Sequence, residues 1–153
     1  MSALFLLDTN VVLALVRGQA LGAFIDATFL LSAARRRPAI SVVTHGEVRV
    51  LAGRNGWGEA KLAALRCALD ALVTVDVNVA EVLDAYVEID LFSQQMPGGA
   101  RNMGKNDLWI AACAKASGAT LLTTDRDFDH LDPDLLTVVY IDPSSAAASS
   151  TRA

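Results

Sequence analysis

Short apolar runs alternate along the chain with longer stretches whose apolar residues recur at helical spacing. The runs have the length of buried strands, and the longer stretches have the 3.6-residue period of amphipathic helices. Strands alternating with helices predict an α/β fold, a three-layer α/β/α sandwich with a mostly parallel central sheet. The predicted strands are residues 3–7, 39–43, 72–77, 119–123 and 135–140.

Capping and stop residues set the expected helix ends. Asp8 to Asn10 can cap the first helix and Gly18 can end it, while T-H-G-E, from Thr44 to Glu47, is a capping box for the third. Arg35–Arg37 are expected in the last turn of the second helix. The predicted helices are residues 11–18, 20–37, 44–51, 58–71, 79–95 and 107–117, with a glycine-rich loop at 96–105.

Composition predicts one folded domain, residues 1–141, followed by a low-complexity tail, residues 142–153. Hydrophobic residues make up 53% of the 153 residues, and the net charge of −4 argues against a protein that coats nucleic acid but not against a local site. Cys67 and Cys113 are interpreted as reduced core thiols, typical of a cytoplasmic protein. The N-terminal apolar run lacks a basic flank and is interrupted by Asp8, so neither a signal peptide nor a membrane span is expected.

Carboxylates follow the predicted strands. Asp8 comes after the first strand, Glu47 lies shortly after the second, and Asp125 comes after the fourth. Asp107 opens the helix that leads into the fourth strand. Because parallel α/β sheets bind ligands outside the carboxyl ends of their strands, at least three of these acids are expected in one region.

Each acid alone has an ordinary structural explanation as a helix cap or a turn residue. Their expected convergence is harder to explain this way, since unpaired carboxylates about 4 Å apart repel by roughly 4 kcal/mol per pair at an effective dielectric near 20. A hard cation such as Mg²⁺ or Mn²⁺ would relieve that repulsion.

Four segments of the chain together resemble the PIN domain, specifically the small VapC-like toxins of bacterial toxin–antitoxin pairs. They are LLDTNVVLALVRG, SVVTHGEV, NDLWIAACA and LLTTDRDF, in the family's order and within residues 3–140. The resemblance implies a metal-dependent endoribonuclease in which Mg²⁺ or Mn²⁺ activates water for in-line attack on RNA. It assigns Asp8, Glu47, Asp107 and Asp125 to an acidic quartet, with Asp127 an accessory ligand.

The resemblance also implies supporting residues and partners. Asn10 and Thr124 stand where the family often places polar groups that orient the carboxylates or bound water. Arg101 and Lys105, beside Asp107, are candidates for RNA phosphate contacts, or else part of a solvated loop. The family further implies a homodimer and a small antitoxin protein. His45 departs from the expected apolar residue and is interpreted as a structural or surface histidine.

Two other functions remain as alternatives. A phosphotransferase of the haloacid-dehalogenase type also begins with a strand ending in aspartate, but it needs a second acid where this chain has Asn10. A non-catalytic PIN-like binding module would have the same fold without needing four retained acids.

Overall fold

The computed structural model describes residues 3–146, which form five strands, six α-helices and one 3₁₀-helix. The strands are β1 Phe5–Leu7, β2 Ala39–Ser41, β3 Val73–Val75, β4 Thr120–Thr123 and β5 Val138–Tyr140. The helices are α1 Thr9–Arg17, α2 Ala20–Phe29, α3 Val42–Arg54, α4 Glu59–Asp70, α5 Ala80–Gln94 and α6 Lys105–Ser117, followed by the 3₁₀-helix Arg126–Leu131. Of the expected tail, residues 147–153 lie outside the described residues.

All described strand pairs are parallel, in the order β3-β2-β1-β4-β5. From β1 the chain adds β2 and β3 on one side of the sheet, and it then reverses direction to add β4 and β5 on the other side of β1. This reversal lies between β1 and β4, the point at which sheets of this type leave a crevice for ligands. The predicted parallel α/β/α architecture is confirmed.

Alternation along the strands divides the core into two layers. Leu6 and Leu121 pack toward α5 and α6, whereas Leu7 and Leu122 pack toward α1, α3 and α4. All four side chains are completely buried. Successive side chains of a strand point to opposite faces, so neighbouring leucines serve different helical layers.

Asp8 caps α1 and Gly18 ends it as predicted, although the helix begins at Thr9 and not at Val11. The Asp8 carboxylate accepts the Thr9 backbone N–H at 2.7 Å, and Gly18 ends the helix in the left-handed conformation, with φ of 62°. A left-handed residue at this position suits glycine because it has no Cβ.

The predicted start of α3 is wrong. Ser41 caps the helix by accepting the Val43 N–H at 3.1 Å, so α3 begins at Val42 rather than after Thr44. The T-H-G-E sequence therefore does not act as a capping box. Since Ser41 does the capping, the side chains of Thr44 and Glu47 are free to make contacts across the sheet edge.

The predicted extent of α2 is also wrong, because the helix ends at Phe29 and not at Arg37. Leu30 is left-handed, and the Asp26 carboxylate accepts both the N–H and the hydroxyl of Ser32, at 2.8 and 2.7 Å. These local bonds compete with continuation of the helix. Arg35–Arg37 consequently lie in an exposed connection, where Arg37 donates to the carbonyl of Asp70 at the end of α4, at 3.5 Å.

The two cysteines differ in environment. Cys113 is buried in α6 as predicted, but Cys67 is exposed on α4, so its assignment to the core is wrong. The face of α4 that meets the core is instead formed by Leu65 and Leu69.

Among residues 3–146, no single helix has the length and apolar character needed to cross a membrane. Within the same residues, α1 and α2 taken together have the necessary length and apolar character, but a bend of 111° separates the two helices.

Candidate metal centre

Five acids converge at the β1–β4 edge of the sheet. Asp8 follows β1, Asp125 follows β4, Glu47 lies on α3, Asp107 is in the first turn of α6, and Asp127 is in the 3₁₀-helix. Oxygens of Asp107, Asp125 and Asp127 all lie within 4.8 Å of one another. The structure thus brings together the sequence-predicted acids, and Asp127 is a member of the tightest group.

Asp8 is held rigidly at the centre of this edge. Its side chain is buried, with 5% of its surface exposed, and one carboxylate oxygen accepts the Thr9 N–H. The other oxygen accepts the Thr123 hydroxyl at 2.7 Å. With both oxygens bonded, the carboxylate has a fixed orientation.

Glu47 is oriented by residues from two other helices. Thr9 donates its hydroxyl to one carboxylate oxygen at 2.8 Å, and Asn106 donates its amide to the other at 3.2 Å. The Thr9 hydroxyl also lies 3.1 Å from that of Thr44. These contacts join α1, α3 and α6 at the site.

Thr123 connects the two acids that follow the central strands. Its hydroxyl donates to Asp8 and accepts the Asp125 backbone N–H at 3.0 Å. Asp125 in turn caps the 3₁₀-helix by accepting the Asp127 N–H at 2.9 Å. Capping therefore fixes the relative positions of Asp125 and Asp127.

The polar residues that orient the acids are Thr9, Thr123 and Asn106, which the sequence analysis did not identify. Asn10 and Thr124 line a depression with Arg17 and Pro143, and within residues 3–146 neither side chain bonds an acid. Strand alternation could have identified Thr123. Leu6 pairs with Leu121 and Leu7 with Leu122, so the same register places Asp8 beside Thr123.

Burial and mutual repulsion alter the proton affinity of the acids. Burial raises the pKa of Asp107 from 3.8 to about 6, together with the charges of Asp8, Asp125, Glu47 and Asp127. Burial also raises the pKa of Asp8, against the lowering effect of its bonds from Thr123 and Thr9. The repulsion expected between converging carboxylates is thus present in the folded chain.

Among residues 3–146 the five acids form no ion pair with a basic side chain. The ion pairs of the described residues are Lys115–Glu88 and Arg126–Asp129, so in this part of the chain no lysine or arginine pairs with the five acids. A set of carboxylate oxygens without a counter-charge suits a hard divalent cation, Mg²⁺ or Mn²⁺. The donor set fits such an ion.

The remaining predicted residues lie on α3, on α6 and on the loop before α6. Lys105 is exposed at the start of α6, and Arg101 is exposed on the preceding loop, close enough for its charge to lower the pKa of His130, after the larger effect of burial. His45 is half-buried and lines a groove between α3 and α4 with Arg49 and Arg66, in agreement with a structural or surface role.

A sequence model of the PIN domain matches residues 5–133. The chain belongs to the PIN domain family. This membership excludes the haloacid-dehalogenase alternative, while the roles of individual acids stay predictions. No curated protein matches this PIN domain by sequence.

Solved structures share its fold at low sequence identity. A chain of VapBC2 from Rickettsia felis, bound to a DNA fragment from its promoter, is 23% identical with a TM-score of 0.72, covering 91% of this chain and 99% of that one. A chain of FitAcB from Neisseria gonorrhoeae is 22% identical with a TM-score of 0.69, covering 93% and 99%. VapBC-5 from Mycobacterium tuberculosis, a member of the VapBC family of toxin–antitoxin systems, is 22% identical with a TM-score of 0.60, covering 92% and 100%.

The raised pKa of Asp107 predicts a pH-dependent stability difference between the metal-free wild type and Asp107→Asn. A folded-state pKa of about 6, above the ordinary 3.8, means that the folded chain retains a proton which the unfolded chain releases. This stabilisation is complete below 3.8 and is lost as pH rises through about 6. At about pH 7.5 the variant should melt about 2–4 °C above the wild type, the equivalent of roughly 1 kcal/mol after allowance for solvent screening.

Thermal melts in EDTA at about pH 5 and about pH 7.5 test this expectation. Because the measured quantity is the difference between two proteins, the opposite effect of His130, whose pKa is lowered, cancels. If the two proteins differ in melting temperature by the same amount at both pH values, the raised pKa of Asp107 in the folded chain would be contradicted.

Proposed function

We propose that this PIN domain is a metal-dependent endoribonuclease and the toxin of a toxin–antitoxin pair. The observation that carries the proposal is the convergence of five carboxylates without a paired cation at the reversal point of the sheet. Membership of the PIN family and the fold shared with VapBC proteins support it.

Asp8, Glu47, Asp107 and Asp125 are proposed to hold one or two cations, with Asp127 as a further ligand. Bound Mg²⁺ or Mn²⁺ supplies the positive charge that activates water and stabilises the leaving oxygen of an RNA phosphodiester. The chain supplies the orientation of the ligands, since Thr123 and Thr9 fix Asp8 while Thr9 and Asn106 fix Glu47. Asp107 must lose its proton to bind a cation, so metal binding should release protons below about pH 6.

Arg101 and Lys105 are proposed to contact RNA phosphates. Both are exposed, and they lie on the segment that leads into Asp107. The acidic centre would repel RNA in the absence of metal, so cationic side chains at its margin favour binding of the phosphate backbone.

A binding module without catalysis is the alternative. Such a module gains nothing from a cluster in which burial, and then the charges of four neighbouring acids, raise the pKa of Asp107. The hydrogen bonds that aim Asp8 and Glu47 also favour a site for a cation over an incidental acidic surface.

The proposed partners are RNA, a small antitoxin and a second copy of the chain, in the cytoplasm. The antitoxin is suggested by the VapBC proteins and by a toxin–antitoxin complex from Klebsiella pneumoniae, which has the same fold with 24% identity and a TM-score of 0.62. Leu83, Val87 and Leu91 form an exposed apolar stripe on α5, with 44%, 55% and 50% of their surfaces exposed. Binding of a partner protein to this stripe would remove its apolar side chains from water.

Purified protein should cleave RNA with Mg²⁺ or Mn²⁺ and lose that activity in EDTA. Asp8→Asn and Asp107→Asn should each lower the rate by at least about 100-fold, since even residues that only orient metal ligands contribute about 10- to 100-fold. Asp84→Asn, a change of an exposed acid on α5, is the matched control and should retain the wild-type rate. Equal rates in all four proteins would reject the proposed centre, and Mn²⁺ binding without cleavage would favour the binding module.

Two adjacent threonines test whether the hydrogen bonds at the site matter. Thr123→Val removes the donor to Asp8 at nearly constant volume and should lower the rate by about 10- to 100-fold. Thr124→Val changes a residue of the same type, which lines the neighbouring depression, and should have little effect. The reverse order of the two effects would support the role predicted from sequence for Thr124.

Expression of the wild type in a bacterial host without an antitoxin should arrest growth, since a toxin acts by degrading cellular RNA. The Asp8→Asn variant, produced at the same level, should not. Equal growth of the two strains would exclude the toxin role even if RNA cleavage were observed in vitro.

A further inference from the structure

Ser93 is a buried polar residue in the last turn of α5, a helix that carries none of the five acids of the candidate centre. It is completely buried, and its hydroxyl lies 2.8 Å from Nε2 of His130. The same hydroxyl donates to the sulfur of Met103 at 3.5 Å, and its backbone carbonyl accepts the Arg101 N–H at 2.7 Å. One serine therefore joins three separate segments.

One of these segments leads into α6 and Asp107, and another carries Asp127. Arg101 and Met103 belong to the loop between α5 and α6, six and four residues before Asp107, which enters the centre from α6. His130 belongs to the 3₁₀-helix, whose cap is Asp125 and whose first turn contains Asp127. The contacts of Ser93 thus link the segment that positions Asp107 to the one that positions Asp125 and Asp127.

The linked segments need such an attachment. The loop has two glycines with positive φ, Gly98 at 90° and Gly99 at 134°, and its residues from Pro97 to Asn102 are exposed. The 3₁₀-helix is only six residues long, and the ring of His130 also stacks on Phe92, with 6.5 Å between ring centroids. A short helix and an exposed loop have little hydrogen bonding of their own to fix their separation.

We propose that Ser93 and His130 are positioning residues of the acidic centre. Their hydrogen bond holds the 3₁₀-helix against the last turn of α5, to which Arg101 and Met103 attach the loop before α6, and so sets the separation of Asp107 from Asp125 and Asp127. This inference rests on the proposed metal-binding function, and neither residue contacts the metal or RNA. A serine–histidine bond that served stability alone would leave the affinity of the folded protein for a cation unchanged.

The test compares the affinity for Mn²⁺, measured by calorimetry well below the melting temperature, with the stability of the metal-free protein. Ser93→Ala should weaken Mn²⁺ binding by about 10-fold, the lower part of the range for groups that orient metal ligands indirectly. Ser117→Ala is the matched control, since the Ser117 hydroxyl donates to the Cys113 carbonyl at 2.6 Å at the opposite end of α6. It should leave Mn²⁺ affinity unaltered, since this bond lies within one helix and joins no separate segments.

Two variants at His130 separate the hydrogen bond from the packing of the ring. His130→Phe keeps an aromatic ring beside Phe92 but loses the bond, and should bind Mn²⁺ as weakly as Ser93→Ala. His130→Gln keeps a polar group within reach of Ser93 and should restore most of the affinity.

The outcomes distinguish this inference from the proposed activity. Wild-type affinity in Ser93→Ala and His130→Phe, whatever their melting temperatures, would overturn the positioning role and leave the nuclease proposal intact. Mn²⁺ binding that depends on Ser93 in a protein that cleaves no RNA would support the positioning role and reject the nuclease. Failure of the wild type to bind Mn²⁺ would overturn both.

Discussion

Mutual repulsion of carboxylates at the β1–β4 edge is the constraint on which the arrangement of the site depends. After the larger effect of burial, four other acids raise the pKa of Asp107, and none of the ion pairs within residues 3–146 neutralises the group. Ionised carboxylates that lie close together repel one another, so electrostatics alone would move them apart. The fold opposes that tendency with helix caps and threonine hydroxyls, which fix the acids individually.

The topology of the sheet makes the convergence possible. The order β3-β2-β1-β4-β5 places β1 beside β4, although Asp8 and Thr123 are 115 residues apart in the sequence. The two strands end at the same edge and in matched register, so Asp8 and Thr123 meet directly. Helices α3 and α6 then contribute Glu47 and Asp107 from either side, joined through Asn106.

The same hydrogen bonds connect stability with the proposed chemistry. Thr123 lowers the pKa of Asp8 against the effect of burial, which keeps an ionised ligand attainable in a buried position. Asp8 and Asp125 are also helix caps, so the groups proposed to bind a cation help to form α1 and the 3₁₀-helix. A cation would remove the remaining repulsion, which explains why the donor set suits a metal better than it suits an empty surface.

The sequence by itself determined the order of strands and helices along the chain, the Asp8 cap and the Gly18 stop of α1, and the placement of Asp8 and Asp125 after the first and fourth strands. These depend on short-range signals, namely apolar periodicity, a capping aspartate and the glycine at position 18. It failed at the end of α2 and the start of α3, where the bonds from Ser32 to Asp26 and the cap at Ser41 depend on side-chain contacts that composition does not reveal. Only the tertiary structure decided that Thr123 rather than Thr124 orients Asp8, that Asp127 lies within the tightest acid group, and that Ser93 meets His130. Those facts depend on register and side-chain direction between distant segments, which the packing of the whole core sets.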